Sequence, residues 1–379
     1  MSRSNSALIF ILLLAFACSP KTSKNESPSL KEIQLDHAVG FKIFQGEGFK
    51  LIEVPHAFPG EHKPFSYLVK EAKDIQIPDK QFDAVIDADV QKIILTSTTQ
   101  IPHLDRLGIS DKLIAFPNLD LISSKKIRQH IAKEQVQELG GGAKFNIEKI
   151  IDLQPDLVVI STLGDNMKDL QLLSKAHIPN VINGDYLEQH PLGRAEWIKF
   201  TGALTGQLEK ATELYNEVKS TYENLKKSIE MADLDSIPSV LSGNMYKDIW
   251  YAPSGNNWGA IFLKDAGSEY IFKEDLSSGS LQLSYEYVLD KGINADVWIS
   301  TAEFTDLESM ENADHRYTQF NAFQKGQVYT FSLTRGPTGG LEYFELGYSR
   351  PDIILKDLIK IFHPEQLPGY KPYFYQKLN

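Results

Sequence analysis

The chain of 379 residues contains a single cysteine, Cys18. One cysteine cannot form an intramolecular disulfide, which excludes the disulfide-stabilised class of secreted domains. Long hydrophobic runs are equally scarce. The clearest extends from Ala7 to Ala17, directly before Cys18, and its 11 residues are too few to span a bilayer as a helix. With Arg3 ahead of it, this run fits an export signal. Cys18 is therefore better explained as a processing site than as a buried core thiol or a catalytic nucleophile.

The small residues before Cys18 refine this interpretation. The window Ala15-Phe16-Ala17-Cys18 resembles a bacterial lipobox, which predicts a lipoprotein signal peptide over 1–17 and lipidation of Cys18. A plain signal peptide cut nearby is the alternative. The polar stretch that follows predicts a flexible tether over 18–36. Since no second apolar run approaches membrane length, we expect a protein that is lipid-anchored at the periplasmic side of a bacterial membrane and does not span it.

Basic charge and the familiar catalytic or metal-binding spacings are also missing. The formal net charge is −11 at pH 7, so the chain has no electrostatic footprint for nucleic acid. The histidines are scattered without HxH or HExxH spacing, which disfavours a bare zinc or manganese site. Gly140-Gly141-Gly142 lacks the Lys-Ser/Thr of a phosphate-binding loop and is interpreted as a helix stop. No Gly-x-Ser-x-Gly elbow occurs. We therefore expect a binding protein with no catalytic residues, cofactor or metal ligands.

The length that remains after the signal is too great for one ordinary core and predicts two lobes. Alternating residues around Gly46–Gly48 predict a small antiparallel β extension over 37–90. Short apolar runs then alternate with helical segments, one of them predicted at Ala132–Leu139. This alternation predicts parallel α/β lobes over 91–190 and 232–379.

A bridging helical segment is predicted between the lobes, over 191–231. From Trp197 to Ile229 the apolar residues recur at spacings of three and four, which keep them on one helical face. Glycines near the start of this stripe predict one break. The uninterrupted helix is expected from about Gln207 to Met231.

Both lobes contain the same short unit, namely a cap, a glutamate, a short helix and a strand opened by aspartate. It occurs in FNIEKIIDLQPDLVVIS (145–161) and in LSYEYVLDKGINADVWIS (283–300). Together with WYAPSGNNWGAIFLKDAG (250–267), FNAFQKGQVYTF (320–331), SRPDIILKDLIKIFHPE (349–365) and the long helix, these segments resemble substrate-binding proteins of ABC importers for iron-siderophores, haem and cobalamin. The resemblance covers roughly 91–367 and implies an α/β fold of two Rossmann-like lobes bridged by one rigid helix.

The ends of the chain lie outside this common core. The β extension and the tail PYFYQKL (372–378) resemble those of lipoprotein members of the family from Bacteroidetes-like bacteria. The resemblance also implies a role for Glu148 and Glu286, which occupy the same position of the repeated unit in the two lobes. In the family, one glutamate per lobe at this position pairs with arginines of the permease. The alternative is that each glutamate only complements the dipole of its helix.

Candidate ligand-binding residues follow predicted strands, where open α/β sheets bind their ligands. In the second lobe, turn-forming residues surround Trp250, Tyr251 and Trp258 and predict an aromatic loop suited to a flat chelate, although these residues could equally belong to the core. Arg335 lies in the glycine-rich segment TRGPTGGLEYF and is either a ligand anchor or an ordinary surface arginine. In the first lobe the equivalent strand-end positions are those of Thr98, Phe116, Thr162 and Tyr186.

We therefore expect a monomeric extracytoplasmic lipoprotein whose partners are a metal-chelate ligand and an ABC transporter permease. An iron-siderophore is the first candidate ligand, followed by cobalamin and haem. One rival hypothesis is an extracytoplasmic enzyme that modifies or strips a metal chelate on the same scaffold. A second rival is a receptor for a bare metal ion, which the scattered histidines disfavour.

Overall fold

The computed structural model describes residues 30–379 except 74, 76, 79, 141–145, 278 and 302. The predicted signal peptide and Cys18, the tether up to residue 29, and Gly141 with Gly142 therefore lie outside the described residues.

An N-terminal sheet of five strands precedes the two lobes. Its strands, in both chain order and sheet order, are β1 (Lys31–Ile33), β2 (Lys42–Gly46), β3 (Phe49–Val54), β4 (Phe65–Lys70) and β5 (Ala84–Asp87). Neighbours are antiparallel except for β4 and β5, which are parallel. The predicted hairpin at Gly46–Gly48 is present, and Gly48 adopts the left-handed φ of 76° that the tight turn requires. The tether predicted to reach residue 36 ends earlier, because β1 pairs with β2.

The N lobe contains a parallel sheet of order β10-β9-β6-β7-β8. Its strands are β6 (Ile93–Leu95), β7 (Leu113–Phe116), β8 (Gln137–Glu138), β9 (Leu157–Ile160) and β10 (Asn180–Ile182). Its helices are α1 (Ile101–Leu107), α2 (Lys125–Ala132), α3 (Ile147–Leu153) and α4 (Met167–Lys175). Every residue of β6 and of β9 is buried, as expected for strands covered by helices on both faces.

The helix predicted at Ala132–Leu139 is wrong. α2 begins earlier, after the cap Ser124, whose hydroxyl accepts a hydrogen bond from the Ile127 amide. It ends at Ala132, and the left-handed φ of 58° at Glu134 turns the chain away. Residues 137–138 then pair with β7 as an edge strand. Pairing with a distant strand is a tertiary interaction that local helical periodicity cannot reveal.

Three helices form the bridge, namely α5 (Pro191–Glu196), α6 (Ile198–Leu204) and α7 (Leu208–Met231). α7 has 24 residues and is therefore about 36 Å long at about 1.5 Å per residue. Its N-terminal half contacts the N lobe, where the Leu214 carbonyl accepts from Arg106 of α1 at 2.9 Å. Its C-terminal half contacts the other lobe, where the Tyr222 hydroxyl donates to Asp265 at 2.7 Å. The predicted bridging helix is confirmed.

The C lobe contains a sheet of order β14-β11-β16-β17-β18, parallel except for β18, and a small antiparallel sheet of order β12-β13-β15. The strands are β11 (Ser239–Ser242), β12 (Asn244–Tyr246), β13 (Ile249–Pro253), β14 (Glu269–Tyr270), β15 (Ser280–Ser284), β16 (Val297–Ile299), β17 (Val328–Thr330) and β18 (Gln376–Lys377). The helices are α8 (Trp258–Asp265), α9 (Tyr285–Gly292), α10 (Leu307–Ala313), α11 (Asn321–Gln324), α12 (Glu342–Leu346) and α13 (Pro351–Phe362).

The repeated unit has the same structure in both lobes. In the N lobe, α3 leads to β9, and the Asp156 carboxylate accepts from the Lys92 amide at 2.8 Å, just before β6. In the C lobe, α9 leads to β16, and the Asp296 carboxylate accepts from the Ser239 amide at 2.9 Å, at the start of β11. Each aspartate thus fastens the start of its strand to the neighbouring strand. The same aspartate contact therefore joins neighbouring strands in both lobes.

Buried carboxylates hold both described ends of the chain against the lobes. Glu196 of α5 is fully buried and accepts hydrogen bonds from the amides of residues 36–38 at 2.7–3.1 Å. Asp357 of α13 is also fully buried and accepts from the amides of residues 373–375 at 2.6–3.1 Å. Several charge-assisted hydrogen bonds per carboxylate offset the cost of burying the charge. The β extension and the C-terminal tail are therefore integral parts of the molecule.

Candidate functional site

A cavity of 580 Å³ lies at the carboxyl ends of the N-lobe strands, and we call it the N-lobe cavity. Its walls come from the segments that follow β6, β7, β9 and β10, as is usual for ligand sites in open α/β sheets. Thr98, Phe116, Thr162 and Tyr186 all line it. The Tyr186 hydroxyl donates to the Thr162 carbonyl at 2.8 Å, which fixes two of these walls together. The structure thus brings the four N-lobe candidates into one place.

A second cavity, of 260 Å³, lies in the C lobe, and we call it the C-lobe cavity. Several of its lining side chains are aromatic. Tyr251 and Trp258 line it, as predicted, together with Phe331 and Tyr343, whose rings stack 4.0 Å apart. Small polar side chains such as Asn257 complete the lining. Flat apolar walls with a few polar groups suit an extended organic ligand.

Trp250 does not belong to this cavity, and its predicted place on a loop is wrong. It lies within β13, its side chain is fully buried, and its ring stacks on Trp298 at 5.3 Å. The indole nitrogen donates to the Ser242 carbonyl at 3.0 Å. Alternation along the strand explains the difference from its neighbour, since successive side chains point to opposite faces and Tyr251 faces the cavity. Trp250 is a core residue.

Arg335 lines neither cavity, contrary to the prediction. Its guanidinium forms an ion pair with Glu303 at 2.6 Å and donates to the carbonyls of Ser332 and Gly339. These contacts stabilise the glycine-rich loop on itself. These contacts engage all three guanidinium nitrogens and hold the side chain on its own loop, away from both cavities.

The cationic side chain between the two cavities is Arg194 of α5, which the sequence did not single out. Its guanidinium carbon lies 4.2 Å from the ring centre of Trp258 and 4.4 Å from that of Tyr348. Trp258 lines the C-lobe cavity and Tyr348 lines the N-lobe cavity. Arg194 also donates to the carbonyls of Tyr186 and Glu188 at 2.9 and 3.0 Å. It therefore joins the walls of both cavities at the floor of the gap between the lobes, the interlobe cleft.

Asp185, another residue that the sequence did not indicate, lies at the inner end of the N-lobe cavity. It is 2% exposed, and one carboxylate oxygen accepts from the Thr99 hydroxyl at 2.7 Å. The other oxygen, Oδ1, has no hydrogen-bond partner among the described residues. Burial raises the pKa of Asp185 to about 6, although the Thr99 hydroxyl and the charge of Arg194 act in the opposite direction. Asp185 is therefore a buried carboxyl group beside the N-lobe cavity, and its burial disfavours the charged form.

The loop that carries Arg335 closes one edge of the interlobe cleft. In α12, which follows this loop, the Glu345 carboxylate accepts from the amides of Ser123 and Ser124 at 2.6 and 2.8 Å. Burial raises the pKa of Glu345 to about 7. Gly340 allows the close approach, since a Cβ there would lie 2.2 Å from the Leu121 carbonyl oxygen. This loop and α12 therefore form a contact between the two lobes.

Glu148 and Glu286 occupy equivalent positions at the second residue of α3 and of α9. Both are exposed. Both helices begin with a side-chain cap, and only the capping residue differs. In α3 the Asn146 side chain accepts from the Lys149 amide at 3.0 Å, and in α9 the Ser284 hydroxyl accepts from the Tyr287 amide at 3.3 Å. Two exposed carboxylates at equivalent sites of two lobes suit a partner that contacts both lobes at once.

This architecture can now be compared with known proteins. A family model described as a periplasmic binding protein matches residues 93–332. The chain belongs to the periplasmic binding protein family. An uncharacterized lipoprotein of Methanocaldococcus jannaschii is 26% identical over 304 residues, which cover 78% of this chain and 70% of that protein. A second uncharacterized lipoprotein of that organism is 23% identical over 266 residues, with 68% and 65% covered.

Solved structures show the same fold. A possible iron-binding (periplasmic solute-binding) protein of Staphylococcus epidermidis is 20% identical with a TM-score of 0.57, covering 73% of this chain and 99% of that one. A periplasmic heme binding protein of Pseudomonas aeruginosa is 17% identical with a TM-score of 0.56, covering 76% and 98%. The vitamin B12 binding protein BtuF of Vibrio cholerae is 15% identical with a TM-score of 0.50, covering 74% and 99%. The two-lobed fold expected from the sequence is confirmed.

Two further properties of this periplasmic binding protein concern metals and membranes. Within the described residues, no group of three or more His, Cys, Asp or Glu side chains is placed to hold a metal ion. In the same part of the chain, no helix combines the length and apolar character needed to cross a bilayer.

Proposed function

We propose that this protein is the solute-binding lipoprotein of an ABC importer, and that it captures a metal chelate in the interlobe cleft and delivers it to the permease. The observation that carries the proposal is the placement of two ligand-sized cavities, one at the strand ends of each lobe, on either side of Arg194. Family membership supports binding and transport over catalysis.

The chemistry of the two cavities supports a chelate as the ligand. The C-lobe cavity offers flat rings, which can cover the apolar face of a large organic molecule. The N-lobe cavity offers hydroxyl and amide groups, which can bind the polar periphery. The structural neighbours named for iron, heme and vitamin B12 point to the same ligand class. An iron-siderophore is the first candidate, with cobalamin and haem next.

The bridge limits how the lobes can move during capture. α7 runs without interruption from the N lobe to the C lobe and buries one face along its length. A single helix does not bend as easily as a pair of flexible hinge strands. The contact of Glu345 with the N lobe adds a second connection. We therefore propose that the ligand enters a largely preformed cleft and that the lobes shift only slightly.

We assign docking to the permease to Glu148 and Glu286. Variants of these two residues test the proposed function. Both glutamates are exposed and lie outside the two cavities. Reversing both to lysine should abolish uptake, because like charges would then face the arginines of the permease. Each single alanine variant should lower uptake partially. Uptake is measured in cells that carry the cognate permease, and chelate affinity is titrated on the purified variants.

The matched control is Glu308→Lys with Glu311→Lys, which makes the same charge change on α10. Both the docking variant and the control should bind the chelate with near wild-type affinity. Normal uptake by the Glu148→Lys, Glu286→Lys protein would remove docking as the role of these residues. Only their interaction with the helix dipoles would then remain.

Membrane attachment is assigned to a lipid on Cys18. A lipid anchor would hold the binding protein near its permease and raise its local concentration there. Cys18→Ala should therefore release the protein into the soluble fraction of the cell envelope and leave chelate affinity unchanged. Cell fractionation followed by immunoblotting measures this, with Cys18→Ser as a second variant that also lacks a thiol. A Cys18→Ala protein that stays with the membrane would contradict the lipid assignment.

A further inference from the structure

The charged groups that face the two cavities are few and of one sign. Among the described residues that line them, Asp165 and Asp185 are the only ones with a formal charge, and no lysine, arginine or histidine is present. Asp165 is exposed at the mouth of the N-lobe cavity, and Asp185 is buried at its inner end. A ligand in the interlobe cleft therefore meets carboxylates and neutral groups.

The nearest arginines do not change the sign of the charge that a ligand meets in the interlobe cleft. Arg194 is 5% exposed, its guanidinium lies against the rings of Trp258 and Tyr348, and its Nε and Nη2 atoms donate to carbonyls. Its Nη1 atom is also buried and has no partner in the described part of the chain. The positive charge of Arg194 acts on the neighbouring carboxylate of Asp185 and offsets part of its negative charge. Arg335 is neutralised by Glu303.

An anionic chelate would be disfavoured in such a cleft. Entry removes water from the anion, and a buried negative charge is costly unless a cation or several donors replace that water. The exposed Asp165 carboxylate adds repulsion, and the chain as a whole carries a net charge of −11 at pH 7. A neutral chelate avoids the cost of removing water from a net charge, and a cationic chelate is attracted by the carboxylates.

The uncharged polar groups fit the same kind of ligand. Ser97, Thr98 and Asn118 of the N-lobe cavity, with Asn244 of the C-lobe cavity, carry hydroxyl or amide groups that can donate and accept hydrogen bonds. Amide, hydroxamate and hydroxyl groups on the rim of a chelate would pair with this set.

We infer that the interlobe cleft selects a neutral or cationic metal chelate bearing amide or hydroxamate groups, such as a corrinoid or a ferric trihydroxamate, and discriminates against anionic ones. Ferric tris-catecholates and haem, with its two propionates, belong to the disfavoured class. The inference rests on the proposed function and narrows its ligand.

The test is a fluorescence titration of the purified wild-type protein with four probes. These are cyanocobalamin, ferrioxamine B, ferric enterobactin and hemin. At least one of the first two should bind at least about 100-fold more tightly than either anionic probe. Tightest binding of ferric enterobactin or hemin would overturn the inference and leave the proposed function standing. Failure of all four to bind would overturn both.

A pair of charge variants tests whether the cleft itself causes the selection. Asp165→Lys should strengthen binding of ferric enterobactin roughly tenfold and weaken binding of ferrioxamine B, since a cation then faces the ligand. Asp111→Lys makes the same change at an exposed N-lobe position that lines neither cavity, and it should have little effect. Equal effects of the two variants, or none from Asp165→Lys, would overturn the role of the lining.

Discussion

The two lobes are built alike and lined differently. Each contains a capped helix with an exposed glutamate, followed by a strand whose opening aspartate holds the neighbouring strand. At the other ends of the strands the likeness stops, because the N-lobe cavity has more hydroxyl and amide side chains and the C-lobe cavity has more aromatic ones. The repeated unit serves the scaffold and the proposed docking face. The strand-end segments are free to diverge, so they are where ligand specificity would arise.

The largest expected effect is in the C lobe, where two tryptophan variants separate the contribution of the core to stability from the contribution of the cavity wall to binding. Trp250→Ala should lower the free energy of unfolding by about 3–5 kcal/mol, because it leaves a large void beside Trp298. Trp258→Ala should destabilise the protein much less and weaken chelate binding roughly tenfold or more, about 1.4 kcal/mol. Urea unfolding and ligand titration of both variants measure the two effects.

Trp258→Phe serves as the conservative control, since it keeps an aromatic face towards Arg194 and the cavity. It should retain most of the affinity. An unchanged affinity of Trp258→Ala would show that the C-lobe cavity is not a ligand wall. The contrast between the lobes would then lose its functional meaning.

A smaller effect, on the pH dependence of stability, is expected at the contact between the two lobes, where Glu345 lies. Burial raises the pKa of Glu345 to about 7, above the ordinary value of 4.5 that it regains on unfolding. The folded protein therefore binds this proton more tightly, so the contribution of Glu345 to stability falls as pH rises from about 4.5 to about 7. Glu345→Gln should remove this contribution and change the difference in unfolding free energy between pH 5 and pH 8 by roughly 1–3 kcal/mol.

Urea unfolding at the two pH values checks this prediction. Glu365→Gln is the matched control, because Glu365 is exposed and contacts neither cavity. Its pH dependence should equal that of the wild type. The same pH dependence in Glu345→Gln and in the wild type would contradict the assignment of the raised pKa to this lobe contact.

Much of the fold could be predicted because its signals are local. Short apolar runs that alternate with helical segments predicted the parallel sheets of both lobes, and the stripe of spacings three and four gave α7 to within one residue at its start. Capping residues located α3 and α9. The four N-lobe candidates fell in one cavity because strand ends of a parallel sheet share an edge.

The errors and omissions depended on contacts between distant segments. β8 forms only by pairing with β7, and Trp250 is buried only because β13 joins a second sheet that the sequence did not reveal. Arg335 pairs with Glu303, 32 residues away, which no local pattern indicates. Arg194 gains its position from contacts with both lobes, and Asp185 gains its position from contacts with the N-lobe residues Thr99 and Asn183. The resemblance to binding proteins supplied no residue-level signal for them.

The most direct test of the central claim, capture of a metal chelate between the lobes, is the composition of the protein isolated from its native cell envelope. The visible absorption spectrum and elemental analysis would be measured on the same sample, and the ligand would be extracted for mass spectrometry. The account predicts about one metal ion per chain, held within a single organic chelate that is extracted intact and rebinds the stripped protein. A bare metal ion without a chelate, or conversion of the rebound chelate to a product in the absence of permease, would contradict it.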